Sequence, residues 1–189
     1  MTRLTATSSQ TVGPFFNFGL TPDASLGCLA RPDTPGEHIT IRITVLDGDR
    51  APVPDALIEL WQADASGVYA RPQDPAGAQE PPGFCGFGRL ATDAGGTSVF
   101  TTIRPGRVPD GQGGSQAPHI NVCLFARGLL RQVYTRIYLA DGPELEADPI
   151  LALVPPHRRE TLVARRSAPS TWTFDIKLQG DHETVFFDL

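Results

Sequence analysis

The sequence lacks the features that would place it on a nucleic acid or in a membrane. Lys177 is the single lysine of its 189 residues, and 21 acidic residues outnumber 16 basic ones, for a net charge of −5. An acidic chain without a basic stripe binds nucleic acid poorly. The longest uncharged stretch, 4–22, is rich in Thr, Ser, Gly and Pro, so no membrane span is predicted.

Cysteine is also scarce. Cys28, Cys85 and Cys123 are odd in number and form no C-x-x-C spacing, which argues against a disulfide framework or a zinc ribbon. No apolar segment follows Arg3, as a secretory signal would require. These observations predict a cytoplasmic protein with reduced thiols, in which Cys123 is a small apolar core residue.

Helical periodicity is nearly absent, whereas turn residues are abundant. The chain has 19 Gly and 18 Pro, which favours short elements joined by many turns. Ile39, Ile41, Ile43 and Val45 alternate with polar residues, the pattern of a half-buried strand. Further strands are predicted at 56–62, 86–92, 98–103, 119–126, 133–139, 171–178 and 183–189; the only helical pattern, 143–154, is interrupted by Pro149.

This pattern predicts an all-β fold, a two-sheet β-sandwich of about eight strands over 38–189, preceded by an extended N-terminal arm over 1–37. The turn 93–96 predicts a hairpin between the strands on either side of it. Long loops at 64–85 and 104–118 are candidate functional regions. Phe15, Phe16 and Phe18 on the arm need an apolar surface, on the sandwich or on a partner.

Standard catalytic motifs are missing from the sequence. It contains no G-x-S-x-G or H-E-x-x-H, and the glycine-rich stretch 111–114 precedes a predicted strand rather than a helix. His119 and Asn121 share one face at the head of a strand. Because a neutral amide is a poor metal ligand, a structural polar contact is the favoured interpretation of His119. Tyr69, in a loop, is typical of an amphipathic lid.

Several motifs nevertheless resemble the intradiol ring-cleaving dioxygenases. The run 60–69 (LWQADASGVY) is similar to that family's W-Q-A-x-x-x-G-x-Y segment, and 86–89 (GFGR), 102–106 (TIRPG) and 118–121 (PHIN) follow in the family's order. Five further segments resemble the α chains of the protocatechuate-cleaving branch. They are 10–16 (QTVGPFF), 35–39 (PGEHI), 124–128 (LFARG), 158–162 (RRETL) and 183–188 (ETVFFD). The resemblance covers nearly the whole chain and implies a β-sandwich.

The resemblance implies a ferric iron site of two tyrosines and two histidines, and here this chain departs from the family. By motif position those ligands fall on Tyr69, Val108, His119 and Asn121, which we call the degenerate site. The family's tryptophan and arginine beside the site fall on Asp110 and Gln116. The resemblance therefore implies that this chain holds no metal.

The function implied by the resemblance is that of a non-catalytic α chain. Its partner, an iron-bearing β chain that holds Fe(3+), cleaves protocatechuate (3,4-dihydroxybenzoate) with O2 to 3-carboxy-cis,cis-muconate in aromatic catabolism. Thr11, Gly13, Pro14 and Arg127 match α-chain positions that approach the substrate pocket of the β chain across the interface.

Two other functions remain open from the residues. The chain is a β-sandwich assembly module without an enzymatic role, or it is a self-sufficient dioxygenase that recruits Tyr134 or Tyr138 as its missing ligand. Apart from the resemblance, 11–14 is a turn in the arm and Arg127 is a solvent-facing residue.

Overall fold

The apolar alternation over 39–45 forms strand β1, His38–Leu46, in which every second side chain is buried. The computed structural model describes residues 6–70 and 84–188. The other strands are β2 (Leu57–Gln62), β3 (Phe87–Ala91), β4 (Thr97–Ile103), β5 (Val108–Pro109), β6 (Ser115–Gln116), β7 (His119–Phe125), β8 (Val133–Leu139), β9 (Val163–Ala168) and β10 (Thr171–Lys177). The helices are α1 (Pro14–Leu20), α2 (Pro149–Ala152) and the 3-10 helices Ala24–Gly27, Leu145–Ala147 and Pro156–Leu162. Within the described ranges, no helix has the length and apolar character needed to cross a membrane.

Eight strands form one hydrogen-bonded sheet in the order β3-β2-β7-β8-β9-β10-β1-β4, and β5 pairs separately with β6. The first half of the sheet is β3-β2-β7-β8 and the second half is β9-β10-β1-β4. The two halves meet at a short parallel contact between β8 and β9, in which Tyr138 pairs with Val163 and Leu139 with Ala164. Both halves line one core, to which the first contributes Leu60, Val122 and Ile137 and the second contributes Ile41, Phe100 and Trp172. The mostly-β prediction is confirmed. The division into two sheets stays a prediction, because hydrogen bonding continues from one half to the other.

The hairpin predicted around 93–96 was wrong, although its turn is present. The Gly96 N–H donates to the Asp93 carbonyl at 2.9 Å, but β3 pairs with β2 while β4 pairs with β1, at opposite ends of the sheet. The turn therefore carries the chain from one half of the sheet to the other. Strand β4 finds its partner in β1, with paired positions from His38–Ile103 to Thr44–Thr97.

The C-terminal segment 183–188 is also not a strand. It makes one isolated bridge, between Phe187 and Tyr134, and its other backbone bonds go to different elements, such as Thr184 N–H to the Lys177 carbonyl at 3.0 Å. Leu189 lies outside the described residues. The place beside β10 is taken by β9, whose sequence, VARRSA, is mostly exposed and lacks the apolar alternation that predicts a strand.

The N-terminal arm was predicted to be extended, but the structure places a helix within it. Helix α1 begins at Pro14, and the Thr21 N–H bonds to the Asn17 carbonyl at its end. Proline suits the first position of a helix, because its ring fixes φ and its missing N–H would have no partner there. The Phe16 ring packs on Phe125, with centroids 5.0 Å apart. The helix thus packs one aromatic side chain of the arm, Phe16, in a half-buried position on the sheet.

Candidate functional site

A tight turn after β2 positions Tyr69. The Asp64 Oδ1 atom accepts a hydrogen bond from the Ser66 N–H at 2.8 Å, which closes the turn. Gly67 has a φ of 84°, and a Cβ at this position would collide with the carbonyl oxygen of Arg107. Only glycine meets both conditions. Residues 71–83 of the long loop predicted here lie outside the described residues.

The structure brings together three of the four residues of the degenerate site. The Tyr69 hydroxyl lies 3.3 Å from Nε2 of His119, and the Asn121 side-chain N–H donates to the Tyr69 oxygen at 3.0 Å. At its two ends this chain of contacts meets the backbone: His119 Nδ1 lies 2.8 Å from the Ala117 oxygen, and Asn121 Nδ2 lies 3.3 Å from the Trp61 oxygen. The site is therefore a connected hydrogen-bond chain.

The protonation of His119 sets the direction of this chain. A carbonyl oxygen can only accept, so Nδ1 of His119 carries the hydrogen that bonds to Ala117. Burial, and then the charge of Arg136, lower the pKa of His119 to about 4, so the ring is neutral near pH 7. Nε2 is then an acceptor, and the Tyr69 hydroxyl donates to it. Each hydrogen along the chain has one donor and one acceptor.

Val108, the fourth residue of the degenerate site, lies in β5 opposite Gln116 of β6. Its loop reaches the Tyr69 turn, because the Gly106 N–H donates to the Asp64 carbonyl at 2.8 Å. The valine side chain offers no donor atom to a metal.

The two other positions that depart from the family serve the local structure. Asp110 Oδ1 accepts from the Gly114 N–H at 2.9 Å and closes its own loop. Gln116 Oε1 accepts from Arg136 at 2.7 Å. Their side chains therefore stabilise the β5–β6 region.

The donors of this site do not fit ferric iron. One imidazole nitrogen and one phenol remain, and they bond to each other. Asn121 turns its N–H group toward Tyr69, so the position of the second histidine presents a hydrogen-bond donor rather than a lone pair. Within 6–70 and 84–188, no group of three or more His, Cys, Asp and Glu residues could hold a metal ion.

The two tyrosines considered as replacement ligands lie on β8. Tyr138 is opposite His119, with ring centroids 6.1 Å apart. Its hydroxyl donates to Asp148 at 3.0 Å, and burial raises the pKa of Tyr138, which disfavours the tyrosinate that would bind iron. Tyr134 is opposite Cys123, farther along the ladder from His119. This geometry does not favour a rearranged iron site.

The arm residues singled out from the sequence meet the turn that follows β7. The Gly128 N–H donates to the Thr11 hydroxyl oxygen at 2.8 Å, so Thr11 lies beside the exposed Arg127. Gly13 and Pro14 follow at the start of α1. Arg127 follows the C-terminal end of β7, which from His119 to Phe125 spans about 20 Å at the rise of a strand. The two groups of candidate residues therefore lie at opposite ends of β7.

Between these two ends, the outer face of β2, β7 and β8 carries an apolar groove of about 600 Å³. Trp61 and Leu153, which line it, are 46% and 78% exposed. Cys123 is half-buried in this face, so its prediction as a core residue was wrong. The groove was not predicted from the sequence. Its signal was the pair of large apolar residues Trp61 and Phe125 at outward-facing strand positions. Alternation assigns residues to a face of the sheet but does not show what covers that face.

Comparison with known proteins agrees with the motifs. The dioxygenase family model matches residues 12–180. The chain is 42% identical to the protocatechuate 3,4-dioxygenase α chain of Burkholderia cepacia, over the full length of both, and 42% identical to that of Pseudomonas putida, over 98% of this chain and 97% of the relative. It is 36% identical to the β chain of Burkholderia cepacia, over 79% of this chain and 67% of the relative.

Solved structures show the same fold. The dioxygenase domain of a dioxygenase–carbohydrate-binding fusion from Streptomyces sp. SirexAA-E is 26% identical, with a TM-score of 0.62, and the match covers 95% of this chain and 97% of that one. Catechol 1,2-dioxygenase from Acinetobacter sp. ADP1 shares the fold, with a TM-score of 0.61 over 79% of this chain. The resemblance read from the motifs is thus confirmed, and the chain belongs to the dioxygenase family that includes these α and β chains.

Proposed function

We propose that this chain is the non-iron-binding subunit of an intradiol dioxygenase that cleaves protocatechuate. The reaction opens the ring between the two hydroxylated carbons, and both atoms of O2 enter the product, 3-carboxy-cis,cis-muconate. The similarity over full length to two chains named as α chains supports this. The observation that carries the proposal is the degenerate site, where Asn121 and Val108 leave Tyr69 and His119 bonded to each other.

The iron of the enzyme then belongs to a partner chain of the same family. The donors of the degenerate site do not fit Fe(3+). The similarity of this chain to a β chain supports a partner chain from the same family. The partner would hold the metal, and this chain would supply protein surface to the pocket where the aromatic diol and O2 meet.

We assign that surface to Thr11, Gly13, Pro14 and Arg127. Thr11 is held beside Arg127 through the Gly128 N–H, and both lie at the end of β7 far from this chain's own degenerate site. A guanidinium there can bind a carboxylate or a loop carbonyl through its fork of N–H donors. The arm, residues 1–37, would form one part of the contact and the sheet domain, 38–189, the scaffold, with its two halves as the layers of a sandwich.

Exposed aromatic side chains support an obligate partner. Phe15 and Phe18 of α1 are 86% and 71% exposed, beside the turn that carries Arg127. Burying each of them would contribute roughly 1.5–3 kcal/mol to association. A cytoplasmic location is part of the same proposal, because three cysteines without a C-x-x-C spacing fit reduced thiols.

Iron content and reconstituted activity test the proposal together. We expect the purified chain to be colourless, with iron far below one atom per chain, and to gain ring-cleavage activity only when produced with an iron-bearing β chain. Stoichiometric iron or a visible absorption band in the chain alone would contradict it. If the β chain has the same activity with and without this chain, the assembly-module alternative is favoured.

A further inference from the structure

The hydrogen-bond chain of the degenerate site joins two separate parts of the fold. Tyr69 belongs to the turn after β2, whereas His119 and Asn121 belong to β7. Among the described residues, Tyr69 forms a backbone bridge with Ala63, just after β2, but no backbone hydrogen bond to β7, because the ladder between β2 and β7 ends at Gln62 with Ile120. Beyond that pair, the contacts of the Tyr69 hydroxyl connect the turn to the strand.

We propose that this hydrogen-bond chain takes the mechanical place of a metal ion: it locks the turn 64–69 onto β7 without any bound ion. A metal bound by a tyrosine on one segment and a histidine on another would cross-link the two segments. Here Tyr69 accepts from Asn121 and donates to His119, so one hydroxyl makes both links. Asn121 is then a positioning residue that holds the Tyr69 hydroxyl, and not only a position where a metal ligand is missing.

The side-chain types at these positions fit this role. A neutral histidine whose Nδ1–H bonds to the Ala117 carbonyl can only accept at Nε2, so it needs a hydroxyl that donates. That hydroxyl keeps a lone pair, and a donor is needed to satisfy it. Asn121 supplies the donor, and its Nδ2 also lies 3.3 Å from the Trp61 oxygen at the end of β2. An aspartate at 121 would accept only and would compete with His119 for the single Tyr69 hydrogen.

Hydrogen exchange tests the lock in the full chain. Tyr69→Phe keeps the ring and removes the hydroxyl, and Asn121→Asp keeps the shape and removes the donor. In either variant, we expect backbone amides of 64–70 to exchange about tenfold faster, the effect of losing one or two hydrogen bonds, while β1, β4 and β10 keep their exchange rates. Tyr134→Phe, which removes a hydroxyl from the neighbouring strand β8, is the matched control and should leave 64–70 unchanged.

Two further readouts distinguish the lock from general loss of packing. The nitrogen NMR signal of His119 Nε2 should shift in Tyr69→Phe, while that of Nδ1, which bonds to Ala117, should not. Dialysis of the wild-type chain against a chelator should leave exchange in 64–70 unchanged. Wild-type exchange in both variants, or loss of protection on chelation, would overturn the inference. These measurements need no partner chain or activity, so they stand or fall independently of the pairing proposed above.

Discussion

The surroundings of His119 keep its ring neutral at a pH where many histidines are partly charged. It is 2% exposed, and burial followed by the charge of Arg136 lowers its pKa to about 4. In the unfolded chain, the same side chain titrates near 6.5. The unfolded state therefore binds the proton more readily between these two values.

This difference predicts a loss of stability in acid. As the pH falls from 6.5 to 4, the folded state should lose about 3 kcal/mol relative to the unfolded state, because protonation favours unfolding over that window. His119→Gln should reduce the pH dependence of the free energy of unfolding. The control is His182→Gln, at a side chain that is 63% exposed, and it should leave this dependence unchanged. Denaturant unfolding at several pH values measures this, and equal pH slopes in wild type and His119→Gln would contradict it.

Arg127 is the residue in which the proposed function is most directly testable. In the complex with the β chain, Arg127→Ala should lower kcat/KM for protocatechuate by roughly ten- to a hundredfold, because a hydrogen bond to a charged group contributes roughly 1.5–3 kcal/mol. Iron content and assembly should not change. Arg131→Ala, which removes an exposed arginine just beyond the same turn, is the control. Unaltered kinetics in an intact, iron-loaded Arg127→Ala complex would make Arg127 a surface residue only.

At the scale of elements, the C-terminal segment shows how a sequence can have strand composition without forming a strand. Thr184 is 1% exposed, and its hydroxyl accepts from the Lys177 N–H at 3.0 Å. The Thr135 hydroxyl donates to the Val185 carbonyl at 2.8 Å. The segment thus connects β8 with β10, where the two halves of the sheet meet through only the short β8–β9 contact.

Thr184→Val should therefore destabilise the fold. It keeps the side-chain shape but leaves the part-buried Lys177 N–H without its hydroxyl partner, which costs about 1 kcal/mol. Thr101→Val, at an exposed position of β4, should change the free energy of unfolding by less than about 0.5 kcal/mol. Equal midpoints and slopes in urea for Thr184→Val and wild type would show that the tail is not a structural connection.

At the scale of the whole molecule, the apolar surface is unevenly distributed. Phe15 and Phe18 are exposed on α1, and Trp61 and Leu153 are exposed at the groove on the outer face of β2, β7 and β8. Clustered exposed apolar side chains mark interaction surfaces.

The double variant Phe15→Ser, Phe18→Ser should weaken the complex with the β chain by about a hundredfold or more, since roughly 1.5–3 kcal/mol is lost at each site. The isolated variant should also self-associate less than the wild-type chain. Val99→Ser, at a 40% exposed position on β4, serves as the control. Sedimentation and surface binding measure both effects, and an unchanged dissociation constant would mean that α1 lies outside the interface.

Much of the site was predictable because it depends on chemistry local to the chain. The resemblance places Val108 and Asn121 where iron ligands are expected, and the spacing of His119 and Asn121 on one strand predicts a shared face. Their contact with Tyr69 was predictable only through the resemblance, because Tyr69 is 50 residues from His119 in the sequence. The direction of the hydrogen-bond chain depends on the Ala117 carbonyl and on burial, which no sequence pattern reports.

Strands whose side chains alternate, such as β1 and β7, follow from the amino-acid sequence alone, because a period of two places apolar residues on one face wherever the strand lies. Which strands pair depends on the packing of the folded chain. The turn 93–96 fits a hairpin locally, yet β4 pairs with β1 and β3 with β2, because both halves of the sheet must direct their apolar faces into one core. The same requirement places the mostly exposed β9 beside β10 and leaves 183–188 as a connecting segment: strand pairing is a property of the whole sheet, whereas alternation is a property of each strand.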